Sequence, residues 1–405
     1  MPTASDVSTR LGHLAGIVFT EFTAVALAGA LVVLLVARRT MPERQRERVV
    51  VGMSLVLLWW FAGTVPSVAL VGWAVALWAT VEVGAVSMAG RLGTAVLLVV
   101  LVVAPVAAIG ALGEGPRHAR EFIAFATNMV ILRAVAYARE RWRGELAREP
   151  LERVLLALFF FPTFVNGPIE TPRRLLGEAI GGATAADVRA GLGRVALGVA
   201  KIATVALALP PNWTQVLSNG PHASFVQLWT WAVLLYVWFY LSFSGWSDVA
   251  IGLGRLCGRR VIENFDRPWR ATDPGDFWRR WHVSLGIWLR DHVYIPLGGN
   301  QRHRGVNVLA VFVVSAAWHV WGTLKLLGFG YFPMRAWGGL FLWGLLHAAA
   351  VSVFGGRRRG TSGGIATQVA TFLFAAFAWV PFFLPGDVSP GEALRMLLRM
   401  IVPFV

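Results

Sequence analysis

One histidine stands where a histidine is costly, and a second lies on the amphipathic stretch just before it. His319 lies inside VFVVSAAWHVW (residues 311–321), an apolar run with no neighbouring charge, and a polar side chain at membrane depth is expensive unless it faces a cavity or a partner. His282 closes WRRWH (residues 278–282) in a segment rich in arginine and tryptophan. A neutral imidazole can take a proton from an alcohol near pH 7, a role worth about 10²- to 10⁴-fold in rate, and desolvation favours that neutral form. The competing reading of His319 is a structural histidine hydrogen-bonded between helices, and spacing alone leaves both open. His292 and His347 read as packing residues, and His13, His118, His222 and His303 fall in expected termini or loops.

Other chemistries find little support. The sequence holds no Walker loop, no paired carboxylates in an acid/base arrangement, no His-Glu-x-x-His and no Gly-x-Ser-x-Gly. A single cysteine, Cys257, excludes an internal disulfide and a multi-cysteine metal site, so no metal is expected. The stretch FSGWSD (243–248) brings hydroxyls and a carboxylate to a helix end without an adjacent base. Ser244 and Asp248 are therefore read as hydrogen-bonding partners that orient helices or substrate.

The elements that must position these residues are membrane helices. Of 405 residues 56% are hydrophobic and 15% charged, with a mean hydropathy of +0.61, and crossing a bilayer takes about 20 apolar residues. Leu14–Ala37, Val49–Val65, Val68–Met88, Gly93–Leu112, Phe225–Leu241, Val306–Trp321 and Ile365–Leu384 supply such runs. Glu121–Ala138, Val154–Val165, Gly191–Leu209 and Gly338–Phe354 are shorter or more polar. The runs are continuous and do not alternate, which excludes a closed barrel. The expected fold is all-α, a polytopic bundle of roughly nine to twelve membrane helices. Met1–Arg10 is polar and shows no cleavable signal, so the first apolar run is expected to be retained.

The formal charge of +15 comes from 37 Lys plus Arg against 22 acids. The arginines gather in short loops between apolar runs, as the positive-inside tendency requires, and nucleic acid is not an expected partner. Arg38, Arg39, Arg44, Arg46 and Arg48 place the first loop in the cytoplasm, with the N-terminus outside; Arg139–Arg153 and Arg357–Arg359 follow it. Pro210–Ser224 carries no charge and is placed outside.

Residues 255–304 are too polar to span yet rich in Trp, Phe, Leu and Ile. Such a segment lies in the interface or re-enters the protein. The spacing predicts one helix over Asp276–His292, capped by Asp273, with Trp278, Trp281, His282, Leu285, Leu289 and His292 on one face. Pro296 and Gly298-Gly299 end it. Arg279, Arg280 and Arg290 on the other face are free to meet headgroups or an anionic ligand.

Several motifs resemble one family. SFSGWSDVAIGLGRLCG (242–258), ENFDRPWRATDPGDFWRRWHVSLGIWLRDHVYIPLGGN (263–300) and SAAWHVWG (315–322) are similar to the membrane-bound O-acyltransferases, above all the bacterial branch of alginate acetylation and teichoic-acid D-alanylation. FFPTFVNGPIETPRRLL (160–176), FLWGLLHAA (341–349) and FAAFAWVPFF (374–383) resemble further segments of that family. The resemblance runs from about Phe159 to Leu398; the first 150 residues match in hydropathy alone. It implies re-entrant or interfacial helices around a central tunnel, with residues 1–150 as N-terminal membrane helices and 151–405 as an acyltransferase core, integrated into one membrane domain.

By the resemblance, His319 and His282 are the catalytic pair: His319 removes the acceptor hydroxyl's proton and His282 orients the donor or polarises its carbonyl. Trp278, Arg279, Arg280, Trp281, Arg290, Asp291, Asn300, Trp318, Ser244 and Asp248 are the candidate substrate-binding residues, the three arginines for a donor phosphate. No bound cofactor is implied; the donor is an acyl-CoA or acyl-carrier-protein thioester. The acceptor is a hydroxyl of an extracytoplasmic polysaccharide or envelope glycan, an extracytoplasmic accessory acyltransferase is a further implied partner, and the setting is the bacterial plasma membrane. The chain departs from the branch at Ala316-Ala317-Trp318-His319-Val320, which replaces both glycines of Gly-Leu-Trp-His-Gly, and that bears on the acceptor. A small lipid or secondary metabolite remains an alternative acceptor. A transporter or flippase is the rival class, although no inverted halves of matching hydropathy are found.

Overall fold

The computed structural model describes residues 21–84, 117–164, 166–177, 184–208, 223–327, 334–355, 364–383 and 390–402. All regular elements in them are helical, and the extended pairing is a bridge between Phe265 and Trp281. The α-helices are α1 (Glu21–Thr40), α2 (Glu43–Ala62), α3 (Thr64–Gly84), α4 (Arg117–Trp142), α5 (Leu151–Phe159), α6 (Pro172–Gly177) and α7 (Ala185–Ala208). They continue as α8 (Phe225–Leu256), α9 (Pro274–Arg280), α10 (Val283–Leu289), α11 (Arg304–Leu327), α12 (Met334–Phe354), α13 (Ile365–Phe383) and α14 (Pro390–Ile401). Two compact units form, one from the described parts of Ala200–Ser244 and Glu263–Val405, the other from those of Val18–Val199 and Gly245–Ile262.

Thr64–Glu82, Phe225–Leu256 and Ile365–Phe383 are long and apolar enough to cross a membrane, and Arg304–His319 and Gly338–Phe354 are shorter apolar helices. The expected span at Gly93–Leu112 lies outside the described residues. Val154–Val165 is not a span. Helix α5 stops at Phe159 and gives way to a 3-10 turn over Phe161–Thr163, and nine helical residues reach about 13 Å.

What stops α5 is an arginine from α4. Arg133 is fully buried, and its guanidinium donates to the Leu158 carbonyl at 3.0 Å, the Thr163 carbonyl at 3.1 Å and the Thr163 hydroxyl. These carbonyls would otherwise be unpaired where the helix ends. Gly167 then passes so close that a Cβ there would stand 2.5 Å from Thr163 Cα. The Phe-Pro…Gly-Pro-Ile segment is thus a turn wrapped on a buried cation.

In the same unit α7 and α8 approach backbone to backbone. A Cβ on Gly198 would lie 2.5 Å from the Gly245 carbonyl, and one on Gly252 2.6 Å from that of Gly191. Close crossing through small residues is how apolar helices gain packing where lipid offers no hydrophobic driving force. Arg194 Nε meets the buried Asp248 carboxylate at 2.6 Å across the crossing. Gly198→Val is expected to cost at least about 2 kcal/mol by overpacking, read as a lower midpoint of thermal unfolding in detergent.

The polar ends of this unit interlock. Glu47 of the first basic loop pairs with Arg259 and with Arg153 (3.7 Å), Arg153 pairs with Glu149 (2.7 Å), and Arg48 with Glu152 (3.3 Å). The first basic loop and the end of Arg139–Arg153, both expected on one face of the membrane, therefore meet there; Arg357–Arg359 lies outside the described residues.

The other unit has an aromatic core. Trp281 is 1% exposed and is ringed by Tyr236, Phe239, Phe265, Phe277 and Trp379 with centroids 5.1–5.6 Å away. Helices α11 and α12 pack side by side, Gly344 lying against the Phe312 carbonyl. Arg304, at the start of α11, donates to the terminal carbonyls of Val351, Ser352 and Gly355. Helix α14 buries Ala393, Met396, Leu397 and Met400 and leaves Leu394, Leu398 and Ile401 exposed, an amphipathic pattern.

Candidate active site

The helix expected over Asp276–His292 is broken in the middle. Asp273 caps α9 as expected, its Oδ1 accepting from the Asp276 amide at 2.9 Å. The chain then leaves the helix at Trp281, and His282 takes left-handed angles (φ 46°, ψ 52°) before α10 begins. The reason is non-local. The extended strip 264–266 captures the backbone, with Val283 N–H donating to the Asn264 carbonyl (3.0 Å) and Asp266 N–H to that of Arg280 (2.9 Å). A non-glycine residue at positive φ costs energy and is retained where its surroundings over-determine it. Beyond α10, Arg290–Tyr294 forms a π-helix turn, which often marks functional sites.

Asn264 fixes the imidazole as well as the turn. Its Oδ1 accepts from the Ser284 backbone N–H at 3.2 Å and the Ser284 hydroxyl at 2.8 Å, and faces His282 Nδ1 at 3.2 Å. A backbone N–H can only donate, so the atom it meets is the amide oxygen, and His282 carries its proton on Nδ1. Nε2 holds the lone pair. Burial, and secondarily a charge on His319, push the His282 pKa below the ordinary imidazole value.

His319 has the same tautomer by a different route. Its Nδ1 lies 2.7 Å from the carbonyl of Ser315, one turn back in α11. A carbonyl only accepts, so the proton is on Nδ1 and Nε2 is the basic nitrogen. Trp343 and Phe382 pack edge-on to the ring, at 5.9 and 5.3 Å. Rings connect the two histidines: Phe382 meets Phe239 at 6.2 Å, Phe239 meets Phe243 at 5.8 Å, and Phe243 meets His282 at 4.7 Å. Both imidazoles are half-buried.

The other expected site residues separate by role. Trp281 is core. Trp278 donates its indole N–H to His347 Nδ1 at 3.2 Å. Arg280 is held by Asp276 (2.9 Å) and Asp266 (3.5 Å), and Arg279 reaches Asp276 at 3.4 Å while remaining exposed. Arg290 is exposed and pairs with its neighbour Asp291 at 2.7 Å. Asn300 Oδ1 accepts from the Tyr294 hydroxyl at 2.7 Å at the surface, and Trp318 is partly exposed on α11. Ser244 is buried and accepts from Lys201 Nζ at 3.3 Å. Asp248, bound to Arg194, falls in the other compact unit. Sequence reasoning missed Asn264, although it sits within the quoted ENFDRPW stretch, and it set aside His347, which is completely buried. Among the described residues no group of three or more His, Cys, Asp or Glu is placed to hold a metal ion.

An imidazole whose Nε2 keeps its lone pair can abstract a proton from a hydroxyl, and both rings have that form. The stretch that carries both histidines is also the stretch that matches a known family model. Residues 153–333 match the membrane-bound O-acyltransferase (MBOAT) family. Relatives include the peptidoglycan O-acetyltransferase of Helicobacter pylori, 33% identical over 187 residues, 44% of this chain and 32% of that protein. The probable alginate O-acetylase AlgI of Pseudomonas syringae pv. tomato is 30% identical over 259 residues, 62% of this chain and 47% of that protein. The teichoic acid D-alanyltransferase of Bacillus subtilis is 26% identical over 219 residues, 51% of this chain and 52% of that protein. The chain thus spans between about a third and a half of the length of these curated relatives. Both candidate histidines of the MBOAT motifs fall within the matched stretch.

Proposed function

We propose that this chain is a membrane-bound O-acyltransferase of the bacterial plasma membrane. It moves a short acyl group from a cytoplasmic thioester, on coenzyme A or a carrier protein, to a hydroxyl of an extracytoplasmic polysaccharide or envelope glycan. The observation that carries the reading is the pair of Nδ1-protonated imidazoles, each leaving Nε2 with its lone pair in a partly accessible site. The names of the relatives, two O-acetylating proteins and a D-alanyltransferase, support the reaction class and the kind of acceptor.

In this mechanism the acceptor hydroxyl gives its proton to His319 Nε2 as its oxygen attacks the thioester carbonyl. His282, an acceptor at Nε2, holds an N–H or O–H of a substrate and so orients the donor. Arg279 and Arg290, two of the exposed arginines of the motif segment, receive a donor phosphate, while Arg280 and Asp276 keep α9 in place. Trp278 and Trp318 give the acyl path apolar walls. An extracytoplasmic accessory acyltransferase would complete delivery where the acceptor lies beyond the membrane surface.

Mass spectrometry of envelope polysaccharides and lipids from matched strains carrying the wild-type gene, a His319→Ala gene or none tests this. An acyl mass increment confined to the wild-type strain is expected, and it identifies the acyl group and the acceptor. Identical spectra from all three strains, with transport of an unmodified solute by the purified protein in liposomes, would replace the enzyme with a transporter.

A further inference from the structure

Acyl transfer needs a hydrogen-bond donor for the carbonyl oxygen, because negative charge develops there in the transition state. Neither histidine is suited to the task in its resting tautomer. The Nδ1–H of His319 is spent on Ser315 and the His282 Nδ1–H on Asn264, and both Nε2 atoms are acceptors. The donor has to come from another group beside His319.

Trp343 is that group. Its indole ring packs against the His319 imidazole, is 1% exposed, and its Nε1–H finds no acceptor among the described residues. Buried polar atoms are almost always hydrogen-bonded, so an orphan donor calls for an explanation. Phe382, a further ring packed on both His319 and Trp343, has no polar atom to offer. Behind Trp343, His347 accepts the Trp278 N–H at Nδ1, which puts its own proton on Nε2, again with no acceptor among the described residues. Trp343 and His347 thus each hold a buried N–H with no acceptor among the described residues. Such a donor suits a carbonyl or oxyanion oxygen.

We propose that Trp343 is a catalytic residue whose indole N–H binds the thioester carbonyl oxygen. The inference rests on the acyl-transfer reading above. As the acceptor oxygen bonds to the carbonyl carbon, its proton passes to His319 Nε2 and the C=O π electrons move onto oxygen, where the Trp343 N–H holds the charge. When the tetrahedral species collapses, those electrons re-form the carbonyl, the C–S bond breaks, and the thiolate takes the proton from His319.

The test uses full-length protein in liposomes with acetyl-coenzyme A as donor and alginate oligomers as acceptor, following thiol release and acetylated oligomer together. Trp343→Phe keeps a ring and removes the N–H. Its kcat is expected to fall about 10²-fold, the usual effect of losing one oxyanion donor, with KM for acetyl-coenzyme A little changed. Its melting midpoint in detergent should fall no further than that of Trp379→Phe, since both exchange a buried unpaired donor for a smaller ring with the same packing loss. Trp379→Phe is the control, since it deletes another buried indole N–H without an acceptor, on a ring outside His319's neighbours. It should transfer at near wild-type rates. A Trp343→Phe protein with unchanged kcat, with a melting midpoint below that of Trp379→Phe, or with a loss of activity that Trp379→Phe reproduces would overturn the assignment while leaving the acyltransferase intact. A wild-type protein that neither releases thiol nor acetylates the oligomer would remove both.

Discussion

His319→Asn should fold like wild type and transfer acyl groups at least 10²- to 10⁴-fold more slowly, the contribution of a positioned general base. The choice of asparagine follows from the tautomer. The amide N–H of asparagine can replace Nδ1–H as the donor to Ser315, so the helix-side hydrogen bond survives. What disappears is the Nε2 lone pair. His319→Ala should be equally inactive and somewhat less stable, because it also empties the space between Trp343 and Phe382. Single-turnover transfer and thermal melting on the same preparations separate the two losses. Turnover near the wild-type rate in the asparagine variant would remove His319 from the chemistry.

Arg133→Met is expected to be the most damaging change to the fold outside the site. Removing one partner of a buried charge network costs about 3–5 kcal/mol, of the same order as a domain's whole stability of roughly 5–15 kcal/mol. The methionine fills much of the volume but leaves the Leu158 and Thr163 carbonyls and the Thr163 hydroxyl without their donor. It also leaves the buried Glu170 without the nearby positive charge of Arg133. Little folded protein should be recovered from membranes, measured by size-exclusion chromatography in detergent. Arg133→Lys should be intermediate, since one ammonium cannot reproduce a planar fork that reaches two carbonyls at once. A monodisperse Arg133→Met protein with a wild-type melting curve would show that the turn at Phe161–Thr163 holds without the guanidinium.

Arg133 was visible in the sequence and went unread. It interrupts the run Glu121–Ala138, and an arginine within a candidate span is a signal in itself. The basic loops around it drew attention to charge at helix ends, although this arginine is buried inside. The helix through His282 failed for the opposite reason. Periodicity there was regular, and Trp278, Trp281 and Leu285 do face the core. A pattern of apolar spacing reports on local geometry, whereas the backbone bonds that break the helix come from Asn264 and Asp266, 14 to 19 positions away.

The sequence by itself determined the solvent and the class of the protein. Long apolar runs demand that every backbone group be satisfied within the chain, and helices do so, while a histidine in such a run is costly enough to mark a site. His319 stood out on that ground, and His282 by its motif and its place on an amphipathic stretch. Tertiary structure alone decided which nitrogen of each ring is basic, because that depends on acceptors a turn away in α11 or on another segment. It also decided that Asn264 holds His282, that the chain turns at Phe161–Thr163 against a buried arginine, and that an indole N–H lies unpaired beside His319. Those are properties of which groups remain unsatisfied after packing, and packing is fixed only when the whole chain is in place.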